Sequence, residues 1–190
     1  MSIKTPYLES KGEYFHIYNR GVNRSRIFVD NRNYEFFLER MEKYLDPELP
    51  IIAYCLMPNH FHILLRQDAP RAMSNYLGLV CKSYVKAFNN CFGRTGHLFE
   101  GKYKFRHVDE EGYLFHLSRY IHLNPVRAQL VKHAEDWPHS SCRAYYGLNE
   151  NRVLCCGLIL SEFGNSEGYK EFVEAYVPEE KKRIAKYLVK

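Results

Sequence analysis

The chain has 190 residues, 46% hydrophobic and 26% charged, which fits one globular domain with a small appendage and excludes a disordered or fibrous protein. Its longest uninterrupted apolar run, Ile51–Met57, falls far short of the ~20 residues of a membrane span, and Met1-Ser2-Ile3-Lys4-Thr5-Pro6 has no apolar run of a secretory signal behind its charge. The balance of 27 Lys+Arg against 22 Asp+Glu gives +5, which permits a nucleic-acid partner, and six cysteines without a Cys-x-x-Cys pair read as reduced thiols in a cytoplasm.

Residues 14–18 are short, aromatic and alternating, and they end at Asn19-Arg20-Gly21: a strand and a turn. From Asn33 to Tyr44 the apolar spacing is helical, with Asp30 or Asn31 as its cap, and Asp46-Pro47-Glu48-Leu49-Pro50 breaks it. Ile51–Met57 reads as a buried strand, Pro58-Asn59 as a turn, and His60–Arg66 as the returning strand of a hairpin. A second helix is predicted over 70–90 and a Gly-rich loop over 93–101. A strand follows over Lys102–Val108 and a third helix over Asp109–Leu123, with Asp109, Glu110 and Glu111 at its positive end. Asn124-Pro125 interrupts that helix, and Asn124 suits the N-cap of a short helix over 125–131. Trp137-Pro138-His139-Ser140-Ser141 reads as a linker, and the rest as a mixed helical tail with a basic end. Two strand-helix-strand halves predict an α+β fold: a ferredoxin-like sandwich with a central antiparallel sheet, an added helix and a C-terminal helical extension. Residues 1–136 form the main domain and 137–190 the linker and tail.

Chemistry has to come from a site, because this fold hosts many functions. Strand alternation puts His60 and His62 on one face and Phe61, Ile63 and Leu65 on the other. Two imidazoles side by side can chelate a metal ion; they also fit a half-exposed sheet face. Tyr120 and Asn124 are one helical turn apart, beside an apolar stripe of Leu114, Leu117 and Ile121 that can dock on the sheet. Such docking would bring a phenol and an amide to the histidines; one semi-buried tyrosine among 16 is the plainer alternative.

These segments together resemble a family. Ala53–Leu65, with its Pro58-Asn59-His60-Phe61-His62 core, resembles the His-hydrophobe-His motif of single-tyrosine transposases, and Arg119–Ala128 resembles their tyrosine helix. Tyr18-Asn19-Arg20-Gly21, Gly96–Tyr103 and Trp137–Ser141 are similar to the REP-associated tyrosine transposases within the IS200-like superfamily. The resemblance covers about residues 7–147. It implies that His60, His62 and Asn124 bind a divalent metal, Mg²⁺ or Mn²⁺. It implies that Tyr120 is the nucleophile on a single-stranded DNA phosphodiester, leaving a 5′-phosphotyrosine and a free 3′-OH at short hairpins. It also implies DNA transposition in the cytoplasm, at the nucleoid, by a monomer or a homodimer.

The chemistry of those residue types agrees. Ionising a tyrosine of pKa near 10 at pH 7 costs about 4 kcal/mol, and a metal that neutralises phosphate charge offsets much of the barrier. Two neutral imidazoles and an amide leave the ion's charge and open positions available to phosphate oxygens. Asn19, Arg20, Arg24, Arg94, Lys102, Lys104 and Arg127 are candidates for DNA contact, with Arg26, Lys82 and Lys86 as further basic positions; each also fits a solvated surface charge. Tyr103 and Phe105 either stack bases or face the core. Two rival functions stay open: a DNA-binding regulator of the same fold that no longer cuts, and a hydrolase that uses metal-bound water without a tyrosine. Among the tyrosines, Tyr113, two turns before Tyr120, is the competing nucleophile.

Overall fold

The structure is a computed structural model and describes residues 9–109, 112–177, 182 and 185–188. Four antiparallel strands form one sheet: β1 (Glu13–Arg20), β2 (Ile51–Met57), β3 (His60–Gln67) and β4 (Lys104–Val108), in the order β2-β3-β1-β4. With α1 (Asn31–Lys43) between β1 and β2, and α2 (Ala72–Cys91) between β3 and β4, this is the ferredoxin-like α+β sandwich expected from the sequence. The other helices are α3 (Gly112–His122), α4 (Asn124–Arg127), α5 (Cys142–Tyr145), α6 (Gly157–Phe163) and α7 (Ser166–Glu174).

The two faces of the sheet build two cores. Phe15, Ile17, Phe61, Ile63 and Leu65 point toward α1 and α2, where they meet Phe37, Met41, Tyr76, Leu77, Val80 and Tyr84. Met57, Cys55 and Leu64 point the other way, toward Leu114, Leu117 and Ile121 of α3 and Tyr145, Ile159, Tyr169 and Val173 of the tail. Burial on both faces explains why β2 reads as an unbroken apolar run rather than an alternating one. A bulge between Ile51 and Ala53 turns Ile52 and Ala53 to the second core, and the Ile52 carbonyl accepts a 2.8 Å hydrogen bond from the Tyr145 hydroxyl.

Several boundaries are set by contacts that periodicity does not report. Asp30 caps α1, and Asn33 reciprocates from the third position, so the cap is Asp30 and not Asn31. The hairpin turn is the two residues Pro58-Asn59, with Met57 opposite His60. Its carbonyls are used by the next loop: Pro58 O accepts from Ile27 and Phe28, and Asn59 O accepts from Gly21 at 2.9 Å. At Gly21 a Cβ would meet Ser25 O at 2.2 Å, so only glycine fits this approach.

Strand β4 begins at Lys104 rather than Lys102, because residues 98–100 run along the end of β1, with Glu100 N donating to Arg20 O at 2.9 Å. Helix α3 is seen from Gly112 to His122; the acidic pair Glu110-Glu111 lies outside the described residues, as do Met1–Pro6 and most of the basic C-terminal end. Residues 137–141, read as a linker, are pinned along the edge of β2. Leu56 N donates to His139 O at 2.9 Å, Ser141 N to Tyr54 O at 3.0 Å, and the Trp137 indole to Leu56 O at 2.9 Å. An exposed strand edge is thereby covered. All six cysteines are free.

Candidate active site

Strand pairing decides which side chains stand beside the histidines. Tyr18 lies opposite His62 and Arg20 opposite His60, so His16, Tyr18 and Arg20 of β1 share the face of the histidine pair. On β4, Lys104 is opposite Tyr18 and Arg106 opposite His16, which adds two exposed cations to that face. The His60 and His62 rings are 5.1 Å apart, and the Tyr18 ring is 5.9 Å from the first and 5.2 Å from the second.

Each histidine of the pair has its Nδ1 engaged. His60 Nδ1 is 2.6 Å from the Asn59 side-chain oxygen, and the Asn59 amide nitrogen donates to Arg24 O at 3.2 Å. His62 Nδ1 is 3.0 Å from His16 Nε2, and both of those rings are buried. Burial, aided by the Arg20 guanidinium, holds His60 down to about 4; burial, with His16 and His60 beside it, holds His62 well below the ordinary histidine range. Both imidazoles are therefore neutral near pH 7, the state a metal ligand requires.

Helix α3 brings the phenol in. Leu114, Leu117 and Ile121 dock on the sheet, and Tyr120 stands edge-on to His62 with ring centroids 6.1 Å apart. Burial raises the Tyr120 phenol above its ordinary value, and the Arg127 guanidinium, 4.9 Å above the ring, opposes that rise. Asn124 does not cap α4. Leu123 keeps helical backbone angles, so the Asn124 amide nitrogen turns back and donates to Tyr120 O at 2.9 Å. The spent nitrogen leaves Oδ1 as the atom Asn124 can offer a ligand. Tyr113 lies two turns earlier, beneath the Lys186 ammonium at 5.2 Å.

The tail anchors this helix. Tyr169 of α7 approaches His122 Nδ1 at 2.8 Å and Ser118 Oγ at 3.0 Å, while His122 Nε2 lies 2.7 Å from Ser141 Oγ. Arg119 donates to Phe172 O at 2.9 Å, with its guanidinium 4.0 Å over the Phe172 ring.

Among the described residues no three His, Cys, Asp or Glu side chains are placed to hold one metal ion. The atoms that His60, His62 and Asn124 could offer a cation are the two Nε2 nitrogens and the Asn124 Oδ1, because the other end of each group is already hydrogen-bonded. Neutral N and O donors of this kind suit a divalent metal that keeps open positions.

The remaining candidates separate. Arg20 makes a two-pronged ion pair with Glu100, both bonds 3.0 Å, and Arg24 and Arg26 line a cavity of about 330 Å³ with His60 and Asn59. Asn19 is buried; its amide oxygen accepts from Arg20 N and its nitrogen donates to Gly101 O. Arg94 sits over Phe88 at the end of α2, and Lys102 lines a groove against α2, both away from the histidines. Tyr103 and Phe105 face the α1–α2 core, with Phe105 edge-on to Phe15 at 5.8 Å. The core-facing reading of that pair is the one seen, because β4 presents Phe105 to α2 and the Tyr103 hydroxyl donates to Ser74 Oγ of α2 at 3.1 Å.

The family model "Transposase IS200 like" matches residues 10–124, from just before β1 to Asn124. The chain belongs to the IS200-like transposase family. Its place there makes it an enzyme of DNA transposition, and the match contains all four of His60, His62, Tyr120 and Asn124. No curated protein matches the chain. Among solved structures it is similar to a REP-associated tyrosine transposase bound to a REP hairpin. The TM-score is 0.60 at 19% identity, over 82% of this chain and 98% of that one, a likeness of fold. A weaker likeness, TM-score 0.41 at 15% identity over 59% of this chain and 90% of the other, is to a protein assigned as a transposase from Deinococcus radiodurans R1. No helix among the described residues is long and apolar enough to cross a membrane.

In this IS200-like transposase, sequence reasoning missed His16, Tyr18, Asn59 and Glu100 as neighbours of the site. The alternation of His16, Tyr18 and Arg20 along β1 mirrors that of His60 and His62, but only the β1–β3 register shows that they share a face. The Arg20–Glu100 pair spans 80 residues and leaves no local signal.

Proposed function

We propose that the chain cuts and rejoins single-stranded DNA at hairpin sequences, with Tyr120 as nucleophile. The observation that carries this reading is Tyr120 standing edge-on to His62 at 6.1 Å within one chain, beside a histidine pair with both Nδ1 atoms engaged. The Tyr120 oxygen attacks the phosphorus and loses its proton; the bond to the 3′ oxygen breaks, and that oxygen leaves as a 3′-OH after taking up a proton. The product is a 5′-phosphotyrosine. An ester replaces an ester, so a 3′-OH can reverse the step without ATP, as strand transfer needs and degradation does not.

His60, His62 and Asn124 would hold a divalent ion, Mg²⁺ or Mn²⁺, which when bound neutralises phosphate charge and polarises the phosphoryl oxygen. The chain's own cations do the positioning. Arg127 lies over the Tyr120 ring and favours its phenolate, while Arg20, Arg24, Lys104 and Arg106 form a basic border for the incoming strand. Hairpins are the substrate class because the relative of the same fold is bound to a REP hairpin. Residues 1–136 would be the catalytic domain and 137–190 a brace that holds the tyrosine helix over its own sheet, which makes a single chain the catalytic unit.

The test is labelled single-stranded hairpin DNA from beside the protein's own gene, incubated with Mg²⁺ or Mn²⁺ and run on a denaturing gel. Wild type and Tyr113→Phe give a covalent protein–DNA band, and Tyr120→Phe gives none while still binding the hairpin. An adduct peptide that maps to Tyr113 overturns the nucleophile. Binding without any adduct, in wild type and with either metal, converts the reading to a DNA-binding regulator; cleavage without adduct converts it to a hydrolase.

A further inference from the structure

A histidine that binds a metal through Nε2 has to be the neutral tautomer with its hydrogen on Nδ1, and an acceptor at Nδ1 selects that tautomer. His60 has such an acceptor. Asn59 Oδ1 lies 2.6 Å from His60 Nδ1 and can only accept, and the amide is held in that orientation because its nitrogen donates to Arg24 O at 3.2 Å. His60 therefore carries its hydrogen on Nδ1 and offers Nε2 to the site.

His62 makes the corresponding bond to another imidazole. His16 Nε2 is 3.0 Å from His62 Nδ1, the rings are stacked with centroids 5.1 Å apart, and His16 is fully buried on the neighbouring strand. Such a pair works in one of two senses. If His62 donates, its Nε2 keeps a lone pair; if His16 donates, the hydrogen of His62 moves to Nε2 and the ligand is lost. The Tyr120, Tyr18 and His60 rings all surround His62 within 6.1 Å, so its free edge is the one that faces the site.

We infer that His16 is a positioning residue: it accepts a hydrogen bond from His62 Nδ1–H and thereby fixes His62 as a metal ligand through Nε2, as Asn59 does for His60. The inference rests on the proposed metal role of His62. It assigns a function to a β1 residue that touches neither substrate nor metal. It also explains why a polar side chain is kept fully buried between two strands, where an aliphatic one would fill the space at less cost.

Long-range ¹H–¹⁵N correlation of the metal-free, ¹⁵N-labelled protein reads the tautomer directly. Wild type should show His62 with hydrogen on Nδ1, and His16→Leu should shift it toward Nε2. Mn²⁺ affinity, measured on the full chain from the EPR signal of free ion, should weaken about 10–100-fold in His16→Leu, the range for loss of such a partner. His16→Gln places an amide oxygen where Nε2 was and should restore affinity to within about threefold. Hairpin binding in EDTA should be the same in wild type, His16→Gln and His16→Leu, which a merely structural role for His16 would not predict together with the loss of Mn²⁺ affinity in His16→Leu.

An Nε2–H tautomer of His62 in wild type overturns the inference, as does His16→Gln binding Mn²⁺ as weakly as His16→Leu. So does His16→Leu binding it normally while His62→Ala does not, a result that leaves the metal reading standing. If wild type and His62→Ala bind Mn²⁺ equally, the metal reading itself fails and the inference falls with it.

Discussion

On one face of the sheet, α1 and α2 meet the strands mainly with aromatic and aliphatic side chains; on the other, α3 and the tail meet them with Leu117 and Ile121 but also with His122, Ser118, Ser141 and Tyr169. The first face is redundant: Phe28, Phe37, Phe61 and Tyr84 touch one another, and each contact is one of many. The second face is specific. His60 and His62 are neutral because they are buried, and in the pair each Nδ1 has a partner. A defect in the first face should therefore show as lost stability, and a defect in the second as lost chemistry.

The largest effect expected is on chemistry. His60→Ala or His62→Ala should cut adduct formation by about a thousand-fold or more, since loss of metal assistance removes several kcal/mol of transition-state stabilisation. Hairpin affinity should change little, because phosphate and base contacts elsewhere position the DNA. On the other face, Phe37→Ala empties a fully buried position and should cost about 3–5 kcal/mol of stability, read by denaturant unfolding, with the adduct rate per folded molecule unchanged. If Phe37→Ala slows the chemistry of the folded fraction as strongly as His62→Ala, the two faces are not separable in this way.

The same contrast explains what was legible in the sequence. Strands and helices of the first face follow from periodicity, because Phe61, Ile63 and Leu65 alternate and Met73, Tyr76, Leu77, Val80 and Tyr84 repeat at helical spacing. The histidine pair and the Tyr120–Asn124 turn were legible for a similar reason, since both are short-range patterns. The supports of the site were not. His16 meets His62 across 46 residues, Ser141 meets Tyr54 across 87, and Tyr169 meets His122 across 47. These are consequences of register and docking, which no local window contains. The plainer alternative for Asn124, an N-cap, rests on the local preference of Asn before Pro, and the helical backbone of Leu123 overrides it.

A smaller effect separates the faces by pH. Burial holds His122 down to about 3 and His60 to about 4, against 6.5 in an unfolded chain. Between those values the unfolded chain binds protons that the folded one refuses, so stability is retained above pH 6.5 and falls as pH drops toward 4. For His122 alone the loss from pH 7.5 to pH 5 is about 2 kcal/mol. His122→Gln should be less stable at pH 7.5, having lost its bonds to Ser141 and Tyr169, yet should lose about 2 kcal/mol less than wild type on acidification. Equal acid sensitivity in the two proteins would place the titrating groups elsewhere.

The smallest effect concerns where DNA lies. Lys104 is exposed and opposite Tyr18, two strand spacings or about 10 Å from His62, on the face of the histidine pair. Arg94 sits over Phe88 at the end of α2, on the other face. Each phosphate contact on a single strand contributes about 0.7 to the slope of log affinity against log salt. Lys104→Ala should flatten that slope by about 0.7 and weaken hairpin binding most at low salt, where counterion release is largest. Arg94→Ala removes one positive charge as well, so it controls for net charge, and it should leave the slope unchanged. Should Arg94→Ala flatten the slope as much as Lys104→Ala, the DNA path would have to run around the end of α2 as well. The division of labour between the faces would then hold for the chemistry but not for binding.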